Sequence, residues 1–508
     1  MFEPYLLTLL IFFPFVGALL LFLLPKTWQT WTLPGALLVS TIEFVLSLWI
    51  LYYFDSGSHE LQLVHKVTWI STLGISYFVG VDGINLWLVL LTTFITPLVV
   101  LSISQQPKLK FYLACFLILE TCMLGTFLAF DLFLFYIFWE TMLIPMYFLI
   151  GIWGGPRRLY ATIKFVLFTL AGGLCMLLGI IFLMYLYNDQ FGSFSTSILD
   201  LYSVQIPFSY EHFLNPQTLL CLAFLIAFFI KVPTFPFHTW LPDAHVEAPT
   251  GGSVILAAIL LKMGSYGLIR FALPLFPQAF EILTPVGIGL SLVGIVYGAL
   301  LALAQEDLKK LVAYSSISHM GLVTLGIWIS NLHGMSGSLF QMLSHGLATG
   351  GLFLLVGMLY ERRHTRDLTQ FGGLAKVIPI FSVFLVVITL ASIALPSTNG
   401  FIGEFLVLLG SFQFHPWIAA CAGTTVFLGA YYMLSMIQRV IFGGLTQPSN
   451  QGLKDLSWKE ITVLTPIVIL IFWMGLYPKP FLQKMEKSVL HLLSQRAHYE
   501  LTIYEKQP

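Results

Sequence analysis

Long apolar runs recur along the whole chain and constrain its fold more than any other feature. Each run has about 18–25 residues, enough at a rise of about 1.5 Å per residue to cross a hydrocarbon core about 30 Å thick. Proline, glycine and polar residues separate the runs. Charged residues make up only 9% of the chain, whereas a soluble domain has about 25%. The pattern predicts an all-α integral membrane protein without a large soluble domain.

We predict about fourteen transmembrane helices, called spans 1 to 14 in chain order. Their predicted bounds are 4–24, 31–54, 82–103, 111–129, 132–152, 160–187, 217–240, 250–273, 283–304, 309–330, 334–359, 377–411, 417–441 and 460–477. The first run has Glu3 and no basic residue before it and lacks a small-residue cleavage site. These features favour a spanning helix over a removed signal peptide.

The basic residues predict the orientation of the chain. With fourteen spans, most Lys and Arg residues fall in loops on one face. The other face has only Lys66 and Arg270 before the C-terminal tail. By the positive-inside rule the first face is cytoplasmic, and both termini lie outside.

Spans 7 and 8 each carry one lysine near the middle, Lys231 and Lys262. A lysine at that depth costs about 2.5–3.5 kcal/mol on insertion scales, so it needs a partner or a water-filled cavity. Pro233 and Pro236 follow Lys231, and neither can donate a backbone hydrogen bond. The sequence therefore predicts a broken helix in span 7, beside a buried charge. A break at this depth is tolerated where it lines a protected, hydrated cavity.

Span 12 is too long for one straight crossing of the membrane. Its interior contains Pro396 and Gly400, which predict a second break, and Glu404 lies just beyond it. The broken spans are five apart, so equivalent helices run in opposite directions. This spacing is typical of two inverted five-helix repeats, spans 4–8 and spans 9–13.

Buried ionisable residues in these spans are candidates for proton translocation. Span 5 contains Glu140, whose expected partner is Lys231 or Lys262. A pair that forms and breaks would switch proton affinity, whereas a static pair would only hold two helices in register. Histidine changes charge near neutral pH, so the two histidines of spans 10 and 11 suit a relay, although they could be ordinary core residues. The full set is Glu140, Lys231, Lys262, His319, His345 and Glu404.

Weaker candidates lie elsewhere in the chain. Glu43 in span 2 and Glu120 in span 4 could be functional or could face a neighbouring subunit or a cavity. Asp131 and Lys164 are near span ends, where snorkelling reduces the cost of a charge. The segment HTWLPDAHVEAP after span 7 could admit protons from the cytoplasmic side or could simply solvate a tight loop. Its polar residues are His238, Asp243, His245 and Glu247.

The sequence contains no pattern for a cofactor. It has no GxGxxG or P-loop motif and no spacing typical of haem, iron–sulfur or metal ligands. The five cysteines fall inside apolar runs without CxxC or zinc spacing, and the zero net charge gives no indication of a nucleic-acid partner. We expect no redox chemistry in this chain, so energy for transport must come from a partner or an ion gradient.

Several long motifs point to a known family. The segments WETMLIPMYFLIGIWGG, KVPTFPFHTWLPDAHVEAPTGG, QMLSHGL and NGFIGEFLVLLGSF resemble the antiporter-like, proton-pumping subunits of respiratory complex I, the NADH:quinone oxidoreductase. The resemblance covers 111–442, which we call the antiporter-like core; 1–110 hold spans 1–3, and 443–508 hold the last span and an external tail. In two sister branches of the family the position resembling Glu404 is a lysine, so the glutamate favours the third branch.

The resemblance assigns a role to each main candidate. It implies that Glu140 and Lys231 form a charge pair between spans 5 and 7 and that Lys262 is the central lysine. It further implies that His319 and His345 are relay histidines and that Glu404 is the terminal carboxylate of the second half-channel.

The resemblance also implies a function and a setting. Protons would move from the cytoplasm to the outside, driven by quinone reduction in partner subunits. Those partners would hold NAD(H), FMN, iron–sulfur clusters and quinone, and two of the membrane partners would be homologous antiporter-like subunits. The expected location is a bacterial inner membrane, with a thylakoid membrane as the alternative. A sodium or potassium/proton antiporter subunit of the Mrp type is the second function, and a purely structural membrane subunit is the third.

Overall fold

The structure is a computed structural model that describes residues 5–104 and 106–504. Within that part of the chain, eleven helices are long and apolar enough to cross a membrane, judged by length and composition. Shorter apolar helices stand at spans 3, 7 and 12. The mostly helical membrane class is therefore confirmed. The number of crossings stays a prediction.

The helices begin and end close to their predicted bounds. In order they are Leu6–Leu23, Thr32–Tyr53, Leu86–Ser102, Leu109–Leu128, Leu132–Trp153, Arg158–Phe191, Pro216–Lys231, Thr250–Leu275, Pro277–Leu303, Leu308–Ile329, Leu332–Arg363, Pro379–Ser392 with Asn399–Phe414, Pro416–Val440 and Trp458–Leu476. Polar side chains cap several N-termini by accepting first-turn backbone hydrogen bonds. These caps are Asn215, Asp307, Asn331 and Ser457.

Span 7 breaks where the prolines predict. Its helix ends at Lys231, and the chain turns helical again over Trp240–Glu247. The indole of Trp240 donates to the carbonyl of Ile230 at 2.8 Å. The amide of Thr234 donates to the carbonyl of Phe229 at 2.9 Å. Local donors therefore replace hydrogen bonds that the broken helix has lost.

Span 12 is also broken, between Pro379–Ser392 and Asn399–Phe414. Two other spans hold the connection in place. The hydroxyl of Ser344 in span 11 donates to the carbonyl of Asn399 at 3.0 Å. In span 14, a Cβ added at Gly475 would lie 2.4 Å from the carbonyl oxygen of Ser397, so only glycine fits there.

Two elements were not among the predicted helices, one between spans 2 and 3 and one in the predicted external tail. An antiparallel hairpin, β1 Gln62–Ile70 and β2 Ile75–Val81, joins spans 2 and 3. The predicted external tail forms a helix, Lys479–Tyr504, that packs against span 11. This helix buries Phe481, Met485 and Val489, which are four residues apart and share one face. The stripe was missed because polar residues lower the mean hydropathy of the segment.

Span 8 lies at the centre of the bundle, and its apolar segment is fully buried. Two π-helical turns interrupt it, Leu256–Leu260 and Leu268–Ala272. Span 7 approaches span 8 closely at Gly264, where an added Cβ would lie 2.7 Å from Cγ2 of Val232. The broken span 7 is thus fixed against the span that carries Lys262.

Candidate functional site

Four ionisable side chains from spans 8, 10, 11 and 12 form a continuous row, the central chain Lys262–His345–His319–Glu404. Nζ of Lys262 lies 2.6 Å from Nδ1 of His345. The rings of His345 and His319 have centroids 5.8 Å apart. Nδ1 of His319 lies 3.2 Å from Oε1 of Glu404. All four side chains are buried, so the row joins the two predicted halves through the interior.

The backbone of span 8 helps to place Lys262. The ammonium group of Lys262 donates to the carbonyl of Ala257 at 2.5 Å. Ala257 belongs to the π-helical segment Leu256–Leu260, which precedes Lys262. Turns of this kind frequently mark functional sites because they offset the helix by one residue. Span 11 comes close on the other side, since a Cβ added at Gly346 would lie 3.0 Å from the carbonyl oxygen of Ala258. This close approach brings His345 within reach of Lys262.

Glu404 has a second polar neighbour. Nε2 of Gln341 donates to Oε1 of Glu404 at 3.4 Å. A cavity of about 10 Å³, close to the room that one water needs, lies beside the two histidines. Its lining includes His319, Gln341, Ser344, His345, Ser392 and Gly400. The second break thus places backbone and polar side chains next to the central chain.

The ion pair expected at Glu140 is not formed in this structure. Nζ of Lys231 has no hydrogen-bond partner among the described residues and lies 4.7 Å from the ring centroid of Trp139. Oε1 of Glu140 is buried and also lacks a partner within that part of the chain. It packs on span 6, where a Cβ added at Gly173 would lie 1.6 Å from it. The other expected partner, Lys262, contacts His345 instead.

The charged residues after span 7 are engaged in holding the loop. Lys164 forms an ion pair with Asp243 at 2.8 Å. The amide of Arg157 donates to Glu247 Oε2 at 2.9 Å. Lys309 donates to the carbonyl of Ala248 at 2.6 Å. These contacts favour the interpretation that Lys164, Asp243 and Glu247 stabilise a tight loop.

The two histidines of the same segment have different surroundings. His245 is fully buried and stacks on Phe353 with centroids 4.7 Å apart. Neither of its ring nitrogens has a hydrogen-bond partner in the described residues. His238 stacks on Phe235 at 5.7 Å and contacts Tyr297 at 5.5 Å. That His238 and His245 admit protons from the cytoplasmic side therefore stays a prediction.

Three weaker candidates lie outside the central chain. Asp131 caps span 5 by accepting from the amides of Phe133 and Leu134. It also accepts from the hydroxyl of Thr196 at 2.6 Å, so it ties the helix start to a loop. Glu43 and Glu120 are fully buried in spans 2 and 4, and their carboxylate oxygens have no hydrogen-bond partner among the described residues.

A buried ion pair between Arg270 and Asp82 was missed by the sequence analysis. Nη2 of Arg270 lies 2.6 Å from both carboxylate oxygens of Asp82. The count of basic residues assigns Arg270 to the outer face, although apolar residues flank it on both sides in GLIRFALPLF. That position inside a span was the signal that could have revealed a buried charge in need of a partner.

No cluster of three or more His, Cys, Asp or Glu side chains suited to a metal occurs in the described part of the chain. What the interior contains is a line of proton donors and acceptors.

Comparisons with known proteins show the family to which the chain belongs. Residues 129–429 match a family model described as NADH:quinone oxidoreductase/Mrp antiporter, TM. NADH-quinone oxidoreductase subunit M of Rhodobacter capsulatus is 45% identical over 92% of this chain and 91% of its own length. NADH-ubiquinone oxidoreductase chain 4 of Chondrus crispus is 43% identical over 98% and 99%. A chain of respiratory complex I from Thermus thermophilus with bound NADH superposes with a TM-score of 0.84 at 32% identity, covering 96% of this chain and 99% of that one.

Proposed function

Because the chain belongs to the NADH:quinone oxidoreductase/Mrp antiporter family of membrane subunits, we propose that it is the proton-translocating subunit M of a respiratory complex I. The central chain Lys262–His345–His319–Glu404 carries the proposal. Lys262 contacts His345, and His319 contacts Glu404. The two histidine rings between them have centroids 5.8 Å apart. Such a row gives a proton successive binding sites through an interior where a single charge is costly.

The proton route runs from the cytoplasmic end of span 7, through the first half, to Lys262. Glu140 and Lys231 lie along this first half as separate charges on spans 5 and 7. When they approach each other, the carboxylate of Glu140 balances the positive charge of Lys231. The electric field of Lys231 at Lys262 then weakens. A change in this pair would thus alter the proton affinity of Lys262 and couple the chain to its neighbours.

The second half of the route uses the two histidines and Glu404. A neutral histidine accepts a proton on one ring nitrogen while the other can release one, so His345 can pass a proton from Lys262 towards His319. His319 contacts Glu404 directly, and Glu404 releases the proton to the outside. The small polar cavity next to both rings can take a water that bridges them.

The energy for this transfer comes from outside the chain. We propose that quinone reduction in other complex I subunits supplies it, and that those subunits hold the NAD(H), FMN, iron–sulfur clusters and quinone. Two homologous antiporter-like subunits are the proposed neighbours in the membrane. The proposed location is a bacterial inner membrane with both termini outside, or alternatively a thylakoid membrane.

Exchange of sodium or potassium for protons is the second candidate function, because the description of the matching family names Mrp antiporters as well. Sodium-dependent pumping would favour it over the complex I role. The 45% identity to a complex I subunit favours the proton pump.

Replacing Lys262 with methionine tests the proposal. Lys262→Met removes the protonatable group while keeping much of the side-chain volume, so the number of protons taken up per NADH by membrane vesicles should fall. Lys310→Met, a partly exposed lysine at the start of span 10, is the matched control and should pump normally. Assembly of both variants is checked on native gels. Normal proton uptake per NADH in an assembled Lys262→Met complex would contradict the proposal.

A further inference from the structure

The end of span 8 opposite the loop 240–249 contains charges that the proposed route does not use. Lys262, Tyr266 and Arg270 are four residues apart and share one face of span 8. Eight residues correspond to about 12 Å along a helix, so Arg270 stands directly between Lys262 and the predicted outer surface. A proton on Lys262 could leave by this direct way as well as through His345.

Arg270 is held in place from several directions. Besides the two contacts with Asp82 at 2.6 Å, its Nε donates to the hydroxyl of Tyr266 at 3.3 Å. The guanidinium also lies 4.7 Å from the ring centroid of Phe130. Both charged residues are nearly inaccessible, with 8% of Arg270 and 5% of Asp82 exposed. The positive charge is therefore fixed and dehydrated.

Asp82 is equally constrained by the turn after β2. Its Oδ1 accepts from the amides of Ile84 and Asn85 at 2.9 and 3.2 Å. Asn85 in turn donates to the carbonyl of Phe127, which also accepts from the Tyr266 hydroxyl at 2.9 Å. The hydroxyl proton of Tyr266 is thus directed at a carbonyl and away from Lys262. The Tyr266 hydroxyl, which lies between Lys262 and Arg270, thus already accepts from Arg270 and donates to Phe127.

We propose that Arg270 and Asp82 form an electrostatic barrier that closes the outer end of the first half. Arginine stays protonated at any physiological pH, so Arg270 cannot relay a proton. Its fixed charge repels a second positive charge, as arginines in selective channels do. The barrier forces protons on Lys262 sideways to His345. It also prevents protons outside the membrane from returning to Lys262 directly along span 8, past Arg270. This inference rests on the proposed proton route.

Removing both charges at once tests the barrier without leaving one charge buried alone. In the Asp82→Asn/Arg270→Gln complex we expect passive proton entry into vesicles, driven by an imposed pH gradient without NADH, to increase at least about fivefold. Adding Lys262→Met should return the leak to the wild-type level, because the open route passes through Lys262. Lys66→Gln, which removes a basic charge on β1 at the same end of the molecule, is the control and should leak no more than wild type.

An unchanged proton leak in an assembled double variant would overturn the barrier. So would a leak that persists with Lys262→Met. Both readouts are passive, so they are separate from the NADH-driven uptake that tests the pump itself.

If the double variant does not assemble, Tyr266→Phe decides the question. It keeps both charges and removes the hydroxyl between Lys262 and Arg270. The barrier predicts wild-type pumping for this variant. Loss of NADH-driven pumping in an intact Tyr266→Phe complex whose passive proton leak is unchanged would make this end of span 8 a proton route and contradict the barrier.

Discussion

Buried carboxylates in this protein differ in role because their neighbours differ. Asp131 accepts hydrogen bonds from two amides of its own helix and from Ser76 and Thr196. Glu404 makes hydrogen-bond contacts with the side chains of His319 and Gln341. A carboxylate surrounded by fixed donors holds structure together, whereas one beside a titratable ring can exchange a proton. Sequence position alone made both residues candidates.

Replacing Asp131 with alanine should therefore damage stability and spare transport. Asp131→Ala removes the N-cap of span 5 and leaves buried donors unpaired, which should lower the stability of the subunit by about 1–3 kcal/mol. Thermal inactivation of the assembled complex measures the loss, with Asp131→Asn as a milder control that keeps one acceptor. Normal stability combined with lost pumping per NADH would show that Asp131 is a proton carrier after all.

At the scale of elements, both helix breaks were predictable and their supports were not. Proline position and helix length indicate the breaks at Pro233, Pro236 and Pro396, since the physics is local to the chain. The π-helical turns of span 8 and the contact of Gly475 with span 12 depend on packing between distant segments. For the same reason the sequence supplied the members of the central chain without their order of contact.

The break in span 12 should be sensitive to a single methyl group. In Gly475→Ala the new Cβ would meet the Ser397 carbonyl at 2.4 Å, so span 14 or the break must move. Overpacking of this kind typically costs about 1–3 kcal/mol. We expect less assembled complex on native gels and reduced pumping, because Glu404 lies in the second segment of span 12. Gly423→Ala, in span 13, has open space at the Cβ position and should behave as wild type.

At the scale of the whole molecule, the two halves are joined at the loop 240–249. Arg366, between spans 11 and 12, donates to the carbonyl of Val246 at 2.7 Å. Its Nε also lies 3.2 Å from Asp307, which caps span 10. One side chain thus connects loops from both predicted repeats. Displacement of the first half can reach the second through this contact as well as through the central chain.

Replacing Arg366 with glutamine should loosen this connection. Arg366→Gln removes the ion pair with Asp307 and should lower stability by about 1 kcal/mol, because the pair is partly exposed. Thermal inactivation and NADH–quinone turnover of the complex measure the effect, with the exposed Arg439→Gln as the control. Equal inactivation temperatures for the two variants would show that the loop contact has no role in joining the halves.

In the proposed route, protons cross between the halves through His345. The most direct measurement is the number of protons translocated per NADH in an assembled His345→Met complex, alone and combined with Lys262→Met. Methionine fills the space of the ring without binding a proton, so the ratio should fall, and Lys262→Met should add no further loss because both residues belong to one chain. A wild-type ratio of protons per NADH in His345→Met would contradict this route. It would show that protons do not pass from Lys262 to Glu404 through His345.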